Sequence, residues 1–370
     1  MNGAYESRRK RIRVHMQDAG INGLLILSPY NIYYLTGAHL PCSYLIVPEE
    51  KEEIALVLEP EKDEYAKSSG LKDIRPFRMH DPMELLRSTL EEVGLGEGNL
   101  GVEKSFLAAI RLEMISKALP SGLKIVDGDP LLDRVRVVKD EEEIKRIRRA
   151  SELADLGMGA IVRALKEGVT EKEIGAEATY AMMMNGASSV LQPIYVASGS
   201  RSAMAHAFAS EKKIEPEDIV AIDISVAYKG YFADLARTVC MNSPAARHKE
   251  AYRLFLETQE KAIQLIRPGV SMIEIRNFIY RDLKEKKFDK FTFDEVLHGV
   301  GLDFYEKPNF QYPYQKKGDP EMIEPNMVLA LSNLVPYFGD FGLRLEDTLV
   351  VREDGAEILN QYPKSLTRTL

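Results

Sequence analysis

The 370-residue chain has only two cysteines, Cys42 and Cys240, and no tryptophan. Two thiols are too few for a disulfide scaffold or a thiolate metal cluster, and they fit a reducing, cytoplasmic setting. The chain also lacks a positive excess: 49 Lys and Arg against 57 Asp and Glu leave a formal charge of −8 and a pI near 5.5. A basic surface is the electrostatic footprint of a nucleic-acid binder, so no nucleic-acid partner is expected. No apolar run approaches the roughly 20 residues of a membrane span, so no membrane partner is expected either. The N-terminal Arg8, Arg9, Lys10, Arg11 and Arg13 are followed by MQDAG rather than by the apolar core of a secretory signal. That charge run reads as a solvated helix face.

What is present is globular material. The hydrophobic fraction is 45%, and the length suffices for more than one domain of about 150 residues. The first third alternates in type. A charged helix ends at Gly20, LLIL at Leu24–Leu27 is a short buried strand, and Tyr44–Val47 and Ile54–Leu58 are further strands. Met83–Val93 reads as helix, Leu100–Val102 as strand and Phe106–Leu119 as helix, an α/β layer pattern. Gly96, Gly98 and Gly101 satisfy the dinucleotide spacing G-x-G-x-x-G. They follow a helix and precede a strand, the reverse of the order that motif needs, so an αβ turn is the better account.

Pro130 interrupts this pattern, and Asp140-Glu141-Glu142-Glu143 opens a charged helix through about Val162, its acidic first turn complementing the helix dipole. An internal echo follows. Gly168-Val169-Thr170-x-x-Glu173-Ile174 recurs as Gly269-Val270-Ser271-x-x-Glu274-Ile275, each copy ending one helix at glycine and starting another with a capping box. Two similar halves sharing one site are expected.

The chemistry concentrates in IVAIDISVAYKGYFADLARTV, Ile219–Val239. Val220, Ile222 and Ile224 alternate with Ala221, Asp223 and Ser225, and the chain returns after Tyr228-Lys229-Gly230 with Phe232, Asp234, Ala236 and Thr238 on one face. A hairpin centred between Tyr228 and Lys229 sets Asp223 directly opposite Asp234. Opposed carboxylates repel, and one stays protonated unless a cation intervenes. Downstream, His298 sits beside Gly299 and Gly301, and Arg344 and Glu346 alternate in a strand-like GLRLEDT. Two Asp, one His and one Glu make an oxygen-rich set suited to Mn²⁺, Fe²⁺ or Co²⁺, with Zn²⁺ also compatible. Each residue has a plain structural reading as well: an aspartate facing solvent or paired with Arg237, a hydrogen-bonded core histidine, Glu346 paired with Arg344.

In order and spacing, Asp223, Asp234, His298-Gly-Val-Gly and Arg344-Leu-Glu346-Asp-Thr resemble the creatinase/aminopeptidase P/prolidase family of M24-type metallopeptidases. So do Asn31-Ile-Tyr-Tyr-Leu-Thr-Gly37, the junction Arg134-Val-Arg-Val-Val-Lys139, Ala197-Ser-Gly199 with His206, and Gly230-Tyr-x-x-Asp234-x-x-Arg237-Thr238. The resemblance covers nearly the whole chain. It implies a creatinase-like α/β domain over residues 1–133, followed over 134–370 by a pita-bread domain with a pseudo-two-fold repeat, an α/β (α+β) architecture. It also implies a homodimer and hydrolysis of a peptide bond before proline by a water bridging two metal ions. Asp223 would bind the first ion, Asp234 and Glu346 would bridge both, and His298 would bind the second. His206 would hold the substrate or the tetrahedral intermediate, and Arg344 would organise the bridging carboxylate or meet an anionic substrate end.

Two departures bear on that chemistry. Where the family has glutamate before Pro-Gly, this chain has Ser332-Asn333-Leu334, and the family's His-Glu pair is Tyr305-Glu306. The missing glutamate is both a ligand of the second ion and the usual proton acceptor. Four carboxylates would balance two divalent ions; three do not. One tight divalent ion is therefore expected, with a weak or absent second, and His206 or Glu306 as proton acceptor. The expected activity is metal-dependent hydrolysis of a small Xaa-Pro-like peptide or amide. The alternatives are a diverged C–N hydrolase or lyase of the same fold, and a non-catalytic binding protein.

Overall fold

A computed structural model describes residues 2–39, 44–78, 82–191, 193–205, 207–287, 296–309, 322–333 and 339–366, with Asn2, Ser332 and Asn333 described by backbone alone. It divides into two compact units, Met1–Arg136 and Val137–Leu370. No helix among the described residues is long and apolar enough to cross a membrane.

The first unit runs α1 (Asn2–Ala19), β1 (Gly23–Ile26), α2 (Pro29–Thr36), β2 (Tyr44–Pro48), β3 (Ile54–Leu58), α3 (Lys62–Ser69), β4 (Asp73–Phe77), α4 (Pro82–Glu92), β5 (Glu97–Val102), α5 (Ala109–Ala118), β6 (Gly122–Asp127) and α6 (Asp129–Val137). Its strands form one mixed sheet in the order β4-β3-β2-β1-β5-β6. The helix expected from Phe106 begins at Ala109, because the Glu103 carbonyl accepts from the Phe106 and Leu107 amides and closes a turn there. The glycine triplet lies between α4 and β5 and within β5. A Cβ at Gly98 would fall 2.3 Å from Asn22 Oδ1, and one at Gly101 would fall 2.6 Å from the Leu24 side chain, so these glycines serve packing. The N-terminal charge run differs from expectation. Arg8 is buried, donating to the Tyr34 carbonyl with its guanidinium over the Tyr34 ring, and Arg9 and Arg13 clamp buried Glu53. Long cationic side chains bury their stems where a partner meets the head.

The second unit opens with α7 (Glu141–Ala164), capped reciprocally by Asp140 and Glu143, and α8 (Glu171–Met184), capped by Thr170 and Glu173. Then come β7 (Ser189–Val190), β8 (Tyr195–Ser198), β9 (Ile219–Tyr228), β10 (Tyr231–Cys240), α9 (Ala246–Leu265), α10 (Met272–Glu285), β11 (His298–Gly299), β12 (Val328–Asn333), β13 (Leu345–Arg352) and β14 (Gly355–Ile358). The sheet order is β11-β12-β13-β10-β9-β7, with β8 on β9 and β14 on β13. Val220, Ile222, Ile224 and Val226 of β9 pack with α7 and α8, while Leu329, Leu331, Leu345 and Leu349 pack with α9 and α10. Side-chain alternation along a strand then leaves Asp223, Asp234 and Glu346 on the opposite, polar face.

The two halves repeat in detail. Gly168 donates to the Ile214 carbonyl and Ile214 to that of Val169; Gly269 donates to the Ile323 carbonyl and Ile323 to that of Val270. Ser271 starts α10 by accepting from the Glu274 amide at 3.1 Å, as Thr170 starts α8 by accepting from Glu173. Both corners thus lead their chain into a central pair of strands, β9–β10 or β12–β13.

Candidate metal centre

The β9–β10 hairpin turns at Lys229-Gly230, with φ of 49° and 80°, and pairs Tyr228 with Tyr231. Two successive positive φ values are the geometry of a tight two-residue turn, and glycine supplies one of them without strain. The register therefore differs from the expected one. Asp234 lies opposite Ser225 and Asp223 opposite Ala236, so the two aspartates share a face as diagonal neighbours rather than as a direct pair. Asp234 Oδ1 accepts from the Ser225 hydroxyl and the Leu235 amide, both at 3.1 Å. Thr348 bonds both backbone groups of Asp234 at 2.8 Å, tying β10 to β13.

Glu346 sits opposite Ala236 on one side and Ser332 on the other. Its backbone carbonyl accepts from buried Arg237, which also pairs with fully buried Asp347 at 2.7 Å. Arg237 thus serves the sheet's far side and pairs with neither site aspartate. His298 enters from β11, opposite Ala330. Its Nδ1 lies 3.1 Å from the Gly299 carbonyl oxygen, a contact that holds the proton on Nδ1 and leaves the Nε2 lone pair facing Glu346 Oε1 at 3.5 Å.

The structure brings Asp234, His298 and Glu346 together, one ligand atom of each lying within 4.8 Å of the others, all three buried. Burial, reinforced by the charges of Glu346 and Asp223, pushes the Asp234 carboxyl well above the usual range; burial and Asp223 do the same to Glu346. Glu346 Oε1 is buried without a hydrogen-bond donor. A buried carboxylate oxygen without a donor, facing an imidazole lone pair and a second carboxylate, is a set that a divalent cation completes. The residues fit one ion.

Asp223 stands beside this group and is ion-paired to Arg344 through Nη1, while Arg344 Nη2 donates to the Ala205 carbonyl. Arg344 thus makes its ion pair with Asp223 rather than with Glu346, on which it acts only through its charge. Glu306 is committed elsewhere, ion-paired with buried Lys139 at 2.9 Å. The Tyr305 ring stacks on His298, with centroids 4.5 Å apart. His206 and Leu334 lie outside the described residues. Ser332 occupies a telling register position: the displacement along the chain that carries Ile214 to Ile323 carries Asp223 to Ser332. The position where one half bears a carboxylate bears a hydroxyl residue in the other.

Sequence reasoning placed Ser225 on the Asp223 strand face and Lys139 in the junction motif but gave neither a role at the site. The Lys139–Glu306 pair spans a long stretch of chain and has no local signature.

Residues 145–353 match the metallopeptidase family M24, and residues 8–138 match the creatinase/prolidase N-terminal domain. The Xaa-Pro dipeptidase of Pyrococcus furiosus is 30% identical over 366 residues, covering 98% of this chain and 99% of the relative. That of Pyrococcus horikoshii is 32% identical over 361 residues, covering 96% and 97%. The solved Xaa-Pro dipeptidase from Bacillus anthracis has a TM-score of 0.90 at 26% identity, covering 98% of this chain and 99% of that one.

Proposed function

The chain belongs to metallopeptidase family M24, and from that membership we propose that it hydrolyses the peptide bond before proline in small Xaa-Pro peptides, using one tightly held divalent ion. The observation that carries the reading is the buried Asp234–His298–Glu346 group with its donorless Glu346 oxygen.

A divalent ion held there would polarise a carbonyl and acidify water. The chain's own residues prepare for that. Ser225 and the Leu235 amide occupy one oxygen of Asp234 and orient the carboxylate. The Gly299 carbonyl fixes the His298 tautomer. Thr348 and Arg237 hold the backbones of Asp234 and Glu346 in place, so neither carboxylate has to reorganise when a ligand arrives. Arg344 pairs with Asp223 and offsets part of the charge that Asp223 brings beside the pair. Water adds to the acyl carbon, the C–N bond breaks, and the prolyl nitrogen leaves with a proton. Because Glu306 is committed to Lys139, the remaining candidate for moving that proton is His206.

The preferred ion, a homodimeric assembly and a cytoplasmic location belong to this proposal as well. The test is calorimetric titration of metal-stripped protein with Mn²⁺ and Co²⁺, followed by Ala-Pro and Leu-Pro hydrolysis against Ala-Ala. Cleavage of the prolyl dipeptides alone, at one bound ion per chain, is the expected outcome. Equal cleavage of Ala-Ala, or none of any dipeptide with the ion bound, would refute the substrate assignment.

A further inference from the structure

Lys139 is one of the largest fully buried side chains in the molecule. Its backbone is fixed at the start of β12: Val138 bridges Met327, and the Lys139 amide donates to the Asn326 carbonyl at 3.0 Å. Its ammonium reaches Glu306 at 2.9 Å and the Val137 carbonyl at 3.2 Å, with 1% of the lysine side chain and 8% of the glutamate side chain exposed.

Glu306 closes the loop that leaves His298. Its amide donates to the Gly299 carbonyl at 3.0 Å. The loop wraps so tightly on the carboxylate that a Cβ at Gly301 would lie 2.3 Å from Glu306 Oε1. The residue before Glu306 is Tyr305, whose ring lies on His298 with an interplanar angle of 25°. The Gly301 carbonyl accepts from the Phe232 amide on β10 at 2.7 Å, two residues from Asp234. A continuous path therefore runs from Lys139 through Glu306 and Tyr305 to the imidazole.

We propose that the buried Lys139–Glu306 ion pair is the anchor that positions Tyr305 and His298 at the metal centre, Glu306 being a positioning residue rather than the proton acceptor of the reaction. The inference rests on the metal-dependent reading above. A buried pair broken on one side leaves an uncompensated charge, whereas replacing both partners with neutral groups of similar size is commonly tolerated. That asymmetry distinguishes an anchor from a catalytic base.

The experiment is a double-mutant cycle of Lys139→Met and Glu306→Gln in the full chain, read by Co²⁺ calorimetry and by Leu-Pro turnover per Co²⁺-loaded site. Each single variant is expected to weaken Co²⁺ binding roughly 10–100-fold, the usual effect of losing an outer partner of a metal ligand. The double variant is expected to regain most of that loss, with turnover per loaded site recovering in parallel. Additive losses would overturn the pairing. Singles that lower the melting temperature but leave Co²⁺ affinity and turnover per loaded site intact would make the pair merely structural and overturn the positioning role. Glu306→Gln that abolishes turnover at unchanged Co²⁺ affinity, beside a harmless Lys139→Met, would make Glu306 the base and overturn it too, as would an unmodified protein that binds no Co²⁺. If Lys139→Met does not fold, Glu306→Asp decides: it keeps the charge but shortens its reach, intermediate weakening of Co²⁺ binding is expected, and unaltered affinity overturns the proposal. If no dipeptide is cleaved, the Xaa-Pro assignment falls while the Co²⁺ affinity cycle still judges the anchor.

Discussion

Glu171 offers the most direct test of how the sheet face is kept in order. It is the first residue of α8, fully buried, and its carboxylate accepts from the Ser198 amide and hydroxyl at 2.7 and 2.9 Å, from the Ser210 amide and hydroxyl at 3.0 and 2.6 Å, and from Arg201 Nε at 3.1 Å. One side chain thus pins both ends of the strap 198–210, whose Ala205 carbonyl accepts from Arg344. Glu171→Ala strips partners from all five donors. The hydroxyls can rotate to other acceptors and part-exposed Arg201 can turn to water, so the buried Ser198 amide dominates, with a smaller share from the half-buried Ser210 amide. At about 1–3 kcal/mol for an unsatisfied buried group and less for a half-buried one, the loss is about 2–4 kcal/mol. Against a typical total of about 5–15 kcal/mol, that is a large fraction, and it corresponds to a melting-temperature drop on the order of 10 °C for a unit of this size. Glu171→Met is the sharper variant, because the repeat places a buried Met272 at the equivalent corner. Denaturant unfolding and calorimetry read the stability, and Leu-Pro turnover per loaded site reads the strap's effect on Arg344. A loss below about 1 kcal/mol would show that water or neighbouring groups satisfy the amides, and would refute the reasoning.

Glu346→Gln removes one of two buried, mutually repelling carboxyl groups, so the metal-stripped protein should melt higher while losing the Co²⁺-induced rise in melting temperature; differential scanning with and without the ion reads both. At Gly342 a Cβ would fall 2.4 Å from the Ser202 carbonyl oxygen and 2.6 Å from Ala203 Cα, so Gly342→Ala must displace backbone and should cost about 1–3 kcal/mol in urea unfolding, with reduced Leu-Pro hydrolysis; a neutral effect on both would show the strap is free to move. Ser332→Glu should raise Co²⁺ stoichiometry from one to two per chain in calorimetry, since it restores a carboxylate at the position equivalent to Asp223; an unchanged stoichiometry counts against that equivalence.

Much of this was legible in the sequence because the signals were local. The capping box at Thr170 starts α8 and the Ser271 cap, its hydroxyl accepting from the Glu274 amide, starts α10, and alternation in Ile219–Val239 specifies two strands with one polar face. The hairpin register was not legible to within one residue, because YKGY admits two centres and the choice depends on Lys229 accepting a positive φ. That single step decides whether Asp223 and Asp234 face each other or sit diagonally. The fate of the N-terminal arginines was hidden for a different reason. Charge alone does not reveal that Tyr34 and Glu53 wait to receive Arg8, Arg9 and Arg13. Glu306 read as a free acid because its partner, Lys139, lies far back along the chain.

The proposed single ion follows from charge placed on a duplicated frame. Each half of the second unit delivers a pair of strands to the polar face, and full symmetry would put a carboxylate on every one of the four. Three strands carry one, at Asp223, Asp234 and Glu346, and the fourth carries Ser332. Arg344 then offsets part of the Asp223 charge. What remains in the buried group is Asp234 and Glu346, two carboxylates beside His298, on which the Tyr305 ring stacks. One divalent ion brings that group to zero. A second would leave two uncompensated positive charges in a site from which water is largely excluded, where charge imbalance is costly. Replacing a single strand residue therefore changes the stoichiometry that the site favours without disturbing the fold that built it.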